Sequence, residues 1–526
     1  MAWAYGEVGR MARGAAITRR HGLRKIRQSI MFKVFTIRKT MDCTKTEKTA
    51  EKEILSQLAT GRILPLLFHF SWPALITTTL HLLYNVVDRV FVGRVCGADA
   101  IAGLALTFPI MSVIGAVGVL IGAGSGAVIS ILLGEDRKQD AERALGQCVA
   151  MKIAFGIVMP VLMYFFLLDP LLQMMVGGEE GIGPETLAAG KQYLLIVVPF
   201  TLFSHLAFGL SNCMRAEGAP KQSMYCMFVG FGLNLILDPI FIYVFDWGIA
   251  GAAWATNLAM TLSCLFSLWH YLSGRSILHL RFRTIRFYKD LAGRALSIGL
   301  SPFLMQLAAS AIVFSFNNAL SAYSTGPEMA TIQIGAYGIL QTILMVCFMP
   351  MMGISQGLTP ILGFNWGARN YGRVRQTFLI GLALISTCCF FACVIPIVFA
   401  RELTSCFTTI PEMKDVCTIA IYVGNCMVWC IGINVTANGY FQAIGRPRIA
   451  ILLSLLRQVI CLLPCIWILP KLFPQHALQM VWLSMPISDL VANLATIPPV
   501  LKELAFLKHA AKAQTDGCAL AGESRS

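Results

Sequence analysis

Between Ile63 and Leu501 the chain is a succession of long apolar runs separated by short polar connections. The runs cover roughly 63–92, 99–134, 144–168, 190–212, 220–245, 249–273, 291–322, 329–366, 374–399, 416–440, 447–470 and 478–501. Each is longer than the ~20 residues an apolar helix needs to cross a bilayer. None shows the two-residue alternation of an outer-membrane strand. The pattern predicts an all-α polytopic membrane protein with twelve transmembrane helices. The second and eighth runs would each exceed ~50 Å as straight helices, against a hydrocarbon core of ~30 Å. They carry Pro109, Gly115 and Gly118, and Pro350, Gly353 and Gly357, so bending is expected.

Composition agrees. Of 526 residues 56% are hydrophobic and 13% charged, with a mean hydropathy of +0.69. A soluble chain is about a quarter charged, and this much apolar surface exceeds what a soluble fold can hide. A soluble enzyme, a nucleic-acid-binding module and a disordered scaffold are excluded. The net charge of +15 does not reverse this, because residues 1–40 hold ten Lys and Arg against Glu7 alone, leaving +6 for the rest. That remainder sits in short connections, as topology requires, and no nucleic-acid partner is expected.

Residues 1–60 read as a basic, disordered extension. Met1–Thr40 is Arg-rich and acid-poor, which is also how a transit peptide reads, and Met31 and Met41 stand as alternative starting residues. Connections after even-numbered helices carry sixteen Lys and Arg, and the opposite connections six. Both termini are therefore expected in the cytoplasm. Most of the 17 cysteines lie within apolar runs, with no C-x-x-C pair and no Cys/His spacing for zinc. Neither a metal nor a disulfide framework is expected, and no cofactor.

The second half of the chain echoes the first. RAEGAPK (Arg215–Lys221) matches QAIGRPR (Gln442–Arg448) at an offset of 227, and SWP (Ser71–Pro73) matches LSP (Leu300–Pro302) at 229. GAGSGAVISILLGEDR (Gly122–Arg137) resembles GISQGLTPILGFNWGAR (Gly353–Arg369) at 231, rising to 233. The chain is thus a duplication of a six-helix unit. Its parts are an N-terminal lobe over 61–273, a basic cytoplasmic linker over 274–290, a C-terminal lobe over 291–501 and a cytoplasmic tail over 502–526. Six being even, the lobes are related by a pseudo-two-fold axis along the membrane normal, the arrangement of transporters that rock two halves about a path between them.

Carboxylates in a bilayer core are costly, so the few present are informative. HLLYNVVDRVFVG places His81, Asn85 and Asp88 on one face of the first helix. GLNLILDPIFIY places Asn234 one turn before Asp238, and Pro239 then leaves a helix carbonyl free. AAWATNLAM adds Thr256 and Asn257, and His81, Asn85 and Asn257 are candidate cavity-lining residues. Hard oxygen ligands suit a sodium ion, and desolvated carboxylates at short range suit proton capture. The bland alternatives are that Asp88 pairs with Arg89 or Arg94, that Asp238 is a satisfied core polar group, and that His81 is a satisfied core histidine. In the second lobe Arg457 and Asp489 are read as a structural ion pair. Gln306, Asn317, Asn318, Gln341 and Gln356 either line a cavity or bond between helices.

With these residues in view, the chain resembles the multidrug and toxic compound extrusion (MATE) family, closest to its bacterial DinF-like and MepA-like branch. The likeness runs from about Gly61 to Glu503. It rests on YNVVDRVFVG, GAGSGAVISILLGEDRKQDAERALG, MRAEGAPK, NLILDPIFIY and FMPMMGISQGLTPILGFNWGARNYGRVR in combination. The resemblance implies an antiporter of the bacterial cytoplasmic membrane that drives cationic or amphipathic drugs outward against proton or sodium entry. It implies cation-coupling roles for Asp88, Asn234, Asp238 and Thr256. His81 departs from the Gln or Asn that related sequences carry, which leaves the ion open, as is the substrate. A monomer in membrane lipid satisfies the sequence. A lipid-linked precursor flippase of the same superfold is the alternative, but Lys152 and Arg457 are few basic residues for a pyrophosphate. An intramembrane aspartyl protease using Asp88 and Asp238 lacks a G-x-G-D string.

Overall fold

The computed structural model describes residues 52–170, 184–274, 276–408 and 410–523. Residues up to Gln57 form a unit apart from Leu58–Ser526. Within it only 52–57 are described, and they are helical. All the spanning helices belong to the second unit. The expectation of disorder in the N-terminal extension falls outside the described residues as far as 51, and it does not hold for 52–60, which are helical. Leu58 is 1% exposed, so its burial offsets the cost of ordering the turn around it.

The second unit is built of helices, with no strand among the described residues. Twelve segments are long and apolar enough to cross a membrane. The helices are α1 (Ile63–Gly134), α2 (Lys138–Leu162), α3 (Pro184–Val197), α4 (Thr201–Ala216), α5 (Pro220–Pro239), α6 (Gly248–Leu272), α7 (Lys289–Tyr323), α8 (Pro327–Gly367), α9 (Tyr371–Val398), α10 (Ala400–Phe407), α11 (Pro411–Asn425), α12 (Ile431–Ala443), α13 (Pro447–Leu455), α14 (Leu463–Leu472) and α15 (Ala477–Glu523). Proline opens α5, α8, α11 and α13, where its missing N–H costs no bond and its fixed φ favours the first turn.

Sequence reading ends the first run at 92 and opens the second at 99, and the two spans are Ile63–Tyr84 and Ala102–Gly134, joined by a helical connection within α1. The chain reverses between them. Ser71 and Ser130 would lie ~88 Å apart on a straight rod, yet Ser71 packs at Gly357 and Ser130 at Gly363, six residues apart on α8. One expected boundary is absent, at 501, since α15 runs on to Glu523. Its extension is anchored by Leu507, which is fully buried, and by Glu503, which accepts from Tyr440 Oη at 3.0 Å and from the Arg446 guanidinium.

The duplication is visible bond by bond. After α1, Asp136 adopts φ +58° and Arg137 N donates to Leu132 O; after α8, Arg369 adopts φ +56° and Asn370 N donates to Asn365 O. These left-handed caps lie 233 residues apart. A second pair, 227 apart, closes α4 with Gly218 and α12 with Gly445, where Ala219 N donates to Met214 O and Arg446 N to Phe441 O, both at 2.9 Å. Each satisfies carbonyls that a helix end leaves orphaned. The fourth and tenth spans are both broken by a short 3-10 turn, at Val198–Phe200 and Val428–Cys430.

The halves meet where these caps sit. A Cβ on Gly134 would fall onto the carbonyl of Phe364 and within 2.9 Å of Ala368 N; one on Gly367 would fall onto the carbonyl of Ile131 and within 3.1 Å of Glu135 N. The two contacts are images of each other, which places the pseudo-two-fold axis at this crossing of α1 and α8. Gly124 against Ala295 and Gly299 against Leu120 repeat the motif between α1 and α7, again backbone on backbone. Only glycine permits such approach.

Alanine at Gly134 or Gly367 should therefore lower stability by about 1–3 kcal/mol through overpacking. Alanine at Gly115 or Gly338, whose Cβ would meet nothing within 4 Å, should leave stability unchanged or slightly raised. Thermal unfolding of the four purified variants in one detergent separates the two pairs.

Candidate functional site

The polar residues of the first half converge where α1, α3, α5 and α6 face one another. Asn234 and Asp238 lie one turn apart on α5, so a single helix face carries both. Asn234 Nδ2 donates to Asp238 Oδ1 at 3.0 Å and to Thr256 Oγ1, on α6, at 3.2 Å. Asp88, 5% exposed on α1, lies within electrostatic reach of Asp238. Exposures of 0% for Asn234, 1% for Asp238 and 7% for Thr256 take this cluster out of bulk solvent. Immediately beyond Asp238 the backbone loosens into a π-helical turn over Ile240–Val244, after Pro239 has removed one donor.

Sequence reading missed Tyr193. It lies on α3, 6% exposed, shares a side-chain hydrogen bond with Thr256, and is in electrostatic reach of both Asp88 and Asp238. A tyrosine within an apolar run gives no sequence signal of its own, because its ring alone would justify burial.

Two acceptors in the cluster remain without partners: Asn234 Oδ1 and Asp238 Oδ2 are buried and accept no hydrogen bond. A buried polar atom left so carries a desolvation cost of about 1–3 kcal/mol. Together with the Thr256 hydroxyl these are hard oxygens. Among the described residues no group of three or more His, Cys, Asp or Glu is placed to hold a metal.

The other candidates are dispersed. The side chain of Asn85 lies outside the described residues. His81 sits in an aromatic group, its ring centroid 4.9 Å from Phe231, 6.0 Å from Phe208 and 6.1 Å from Tyr84, each edge to face. Asn257 is 2% exposed and donates to Ile196 O at 2.8 Å, tying α6 to α3. Gln306 is exposed and Gln356 half-buried. Asn317 Oδ1 is buried without a partner, and Gln341 donates to Tyr337 Oη at 2.6 Å. In the second half Arg457 Nε donates to Asp489 Oδ1 at 2.6 Å, and Asn493 Nδ2 donates to Asp489 O. Arg457 is the second residue of a π-helical stretch, Leu456–Leu462. Lys152, fully buried, donates to Gly118 O at 2.6 Å.

Against known proteins, the MatE family profile matches residues 73–240 and 307–468, one stretch in each half. The chain belongs to the MatE family. MatE relatives include the multidrug export protein MepA of Staphylococcus aureus strain MSSA476, 27% identical over 408 residues, 77% of this chain and 87% of MepA. MepA of Staphylococcus saprophyticus is 26% identical over 433 residues, 82% and 92% of the two chains. Among solved structures, an outward-facing multidrug resistance MATE transporter superposes with a TM-score of 0.79 at 22% identity, over 86% of this chain and 98% of that one. A MOP superfamily transporter from Pyrococcus furiosus gives 0.78 at 22% identity and the same coverage. The chain is a multi-pass membrane transporter and not an enzyme.

Breaking the buried ion pair on one side should be costly. Arg457→Met leaves Asp489 uncompensated at 4% side-chain exposure and should destabilise by about 3–5 kcal/mol. Arg457→Met with Asp489→Leu should recover most of that loss. Thermal unfolding of both variants measures the difference, and a double variant no more stable than the single one contradicts a purely structural pair.

Proposed function

We propose that this MatE transporter is a cation-coupled antiporter that exports cationic or amphipathic drugs. One observation carries the reading: Asn234 Oδ1 and Asp238 Oδ2 are buried acceptors without hydrogen-bond partners, close to the Asp88 carboxylate and the Thr256 hydroxyl. Two carboxylates in a low-dielectric surround attract a single cation strongly. A proton or sodium ion arriving there satisfies the orphaned oxygens and neutralises a charge, and an organic cation competes for the same negative field. The ion favours one arrangement of the halves and the drug the other, and only that difference in affinity couples the two flows.

The halves, 61–273 and 291–501, move about the crossing at Gly134 and Gly367, with the 274–290 linker and both termini in the cytoplasm. The protein works as a monomer in the bacterial cytoplasmic membrane. Export of drugs by the MepA relatives supports the substrate class. A flippase reading is not favoured, because Lys152 is bound to Gly118 O and Arg457 to Asp489, which leaves neither cation for a pyrophosphate.

Purified protein in proteoliposomes, loaded with an ethidium-type cation, tests the reading under an imposed pH gradient and, separately, a sodium gradient. Efflux should follow one of the two gradients and fall to the no-gradient level in Asp238→Asn, with thermal unfolding unchanged. Gradient-driven efflux that survives in the variant would sink the assignment.

A further inference from the structure

The connector between α6 and α7 is 16 residues long and contains no acid from Gly274 to Lys289. It is held over its length. Glu217 Oε2 accepts from Ser276 Oγ at 2.6 Å and from Leu278 N at 3.3 Å, Glu142 Oε1 accepts from His279 N at 3.3 Å, and Gln147 Oε1 accepts from Tyr288 N. Leu278 is fully buried, and Gly146 is packed against the carbonyl of Thr284. The side facing the first half is thus bonded and buried.

The other side is different. Arg281, Arg283, Arg286 and Lys289 are exposed, and among the described residues none of them pairs with a carboxylate. Between them stand Phe282, 89% exposed, and Phe287, 63% exposed. Orientation explains basic residues in a connector but not bare phenylalanines beside them. An apolar ring flanked by cations matches one surface, in which acyl chains lie just beneath anionic headgroups. Both ends of the connector join spanning helices, at Leu272 and Lys289, so it lies on the side of the membrane where those two helices end.

We infer that Arg281, Phe282, Arg283, Arg286, Phe287 and Lys289 form a docking surface for anionic phospholipid. Because Tyr288 immediately precedes α7 and is bonded to Gln147 of α2, lipid bound here steadies the point at which the second half is tied to the first.

The test uses the full-length protein in nanodiscs of phosphatidylcholine alone and of phosphatidylcholine with phosphatidylglycerol. Backbone hydrogen exchange over 279–288 should slow several-fold when phosphatidylglycerol is present, and high salt should erase the effect. Each arginine changed to glutamine should weaken the lipid dependence by about fivefold, so that Arg281→Gln/Arg283→Gln/Arg286→Gln shows none while exchange in the spanning helices stays as in the parent. Phe282→Ser/Phe287→Ser should keep the charge response but lose part of the protection. Equal exchange in both lipids, or a triple variant that responds like the parent, overturns the proposal. Protection by an acidic peptide in detergent, without any response to phosphatidylglycerol, overturns it in favour of a protein partner. The readout is the connector and not transport, so its failure leaves the antiport reading standing.

Discussion

The close crossing of α1 and α8 depends on what is missing at two positions. Were there a Cβ at Gly134 or Gly367, the carbonyls of Phe364 and Ile131 could not lie where they do. The separation of the two helices would have to grow, and with it that of α1 and α7 at Gly124 and Gly299. Between apolar helices in lipid, water expulsion supplies little drive to associate. What remains is dispersion between backbones brought near enough to count. Glycine makes that contact broad and close, backbone against backbone.

The polar cluster is built on the opposite principle. Asn234 commits its two donors to Asp238 and Thr256 and leaves its oxygen unused. The geometry is thereby fixed by internal bonds, while two buried acceptors, Asn234 Oδ1 and Asp238 Oδ2, stay without partners. The second half shows the contrasting solution at Arg457 and Asp489, where charge is met by charge inside the protein.

Much of this was legible in the sequence because it follows from periodicity and cost. Twelve apolar runs, the offsets of 227 to 233 and the rarity of buried carboxylates gave the spans, the duplication and the grouping of Asp88, Asn234, Asp238 and Thr256. What was not legible depends on contacts between distant segments. Tyr193 belongs to the cluster only through Thr256 on another helix. Asn257 looked like a cavity residue because a sequence cannot show that its amide is already taken by Ile196 O. The helical turns at 52–60 and beyond 501 are short of apolar signal. They are helical because Leu58, Glu503 and Leu507 find partners or burial in the folded protein.

The segment ahead of α1 has a consequence for how the protein is made. Arg373 Nε donates to Leu58 O at 3.1 Å, its Nη2 donates to Gly61 O, and Asn365 Nδ2 donates to Leu58 O at 3.2 Å. These bonds join residues 307 to 315 apart in sequence. At the ribosome, where synthesis adds about 5–20 residues each second, α1 emerges early. The donors for its leading turn follow some tens of seconds later. Through that interval the carbonyls of Leu58 and Gly61 must rely on water, and this turn is among the last parts to be locked in place. A ribosome that stalls anywhere before Asn365 releases a protein whose first helix is inserted but whose leading turn is still untied.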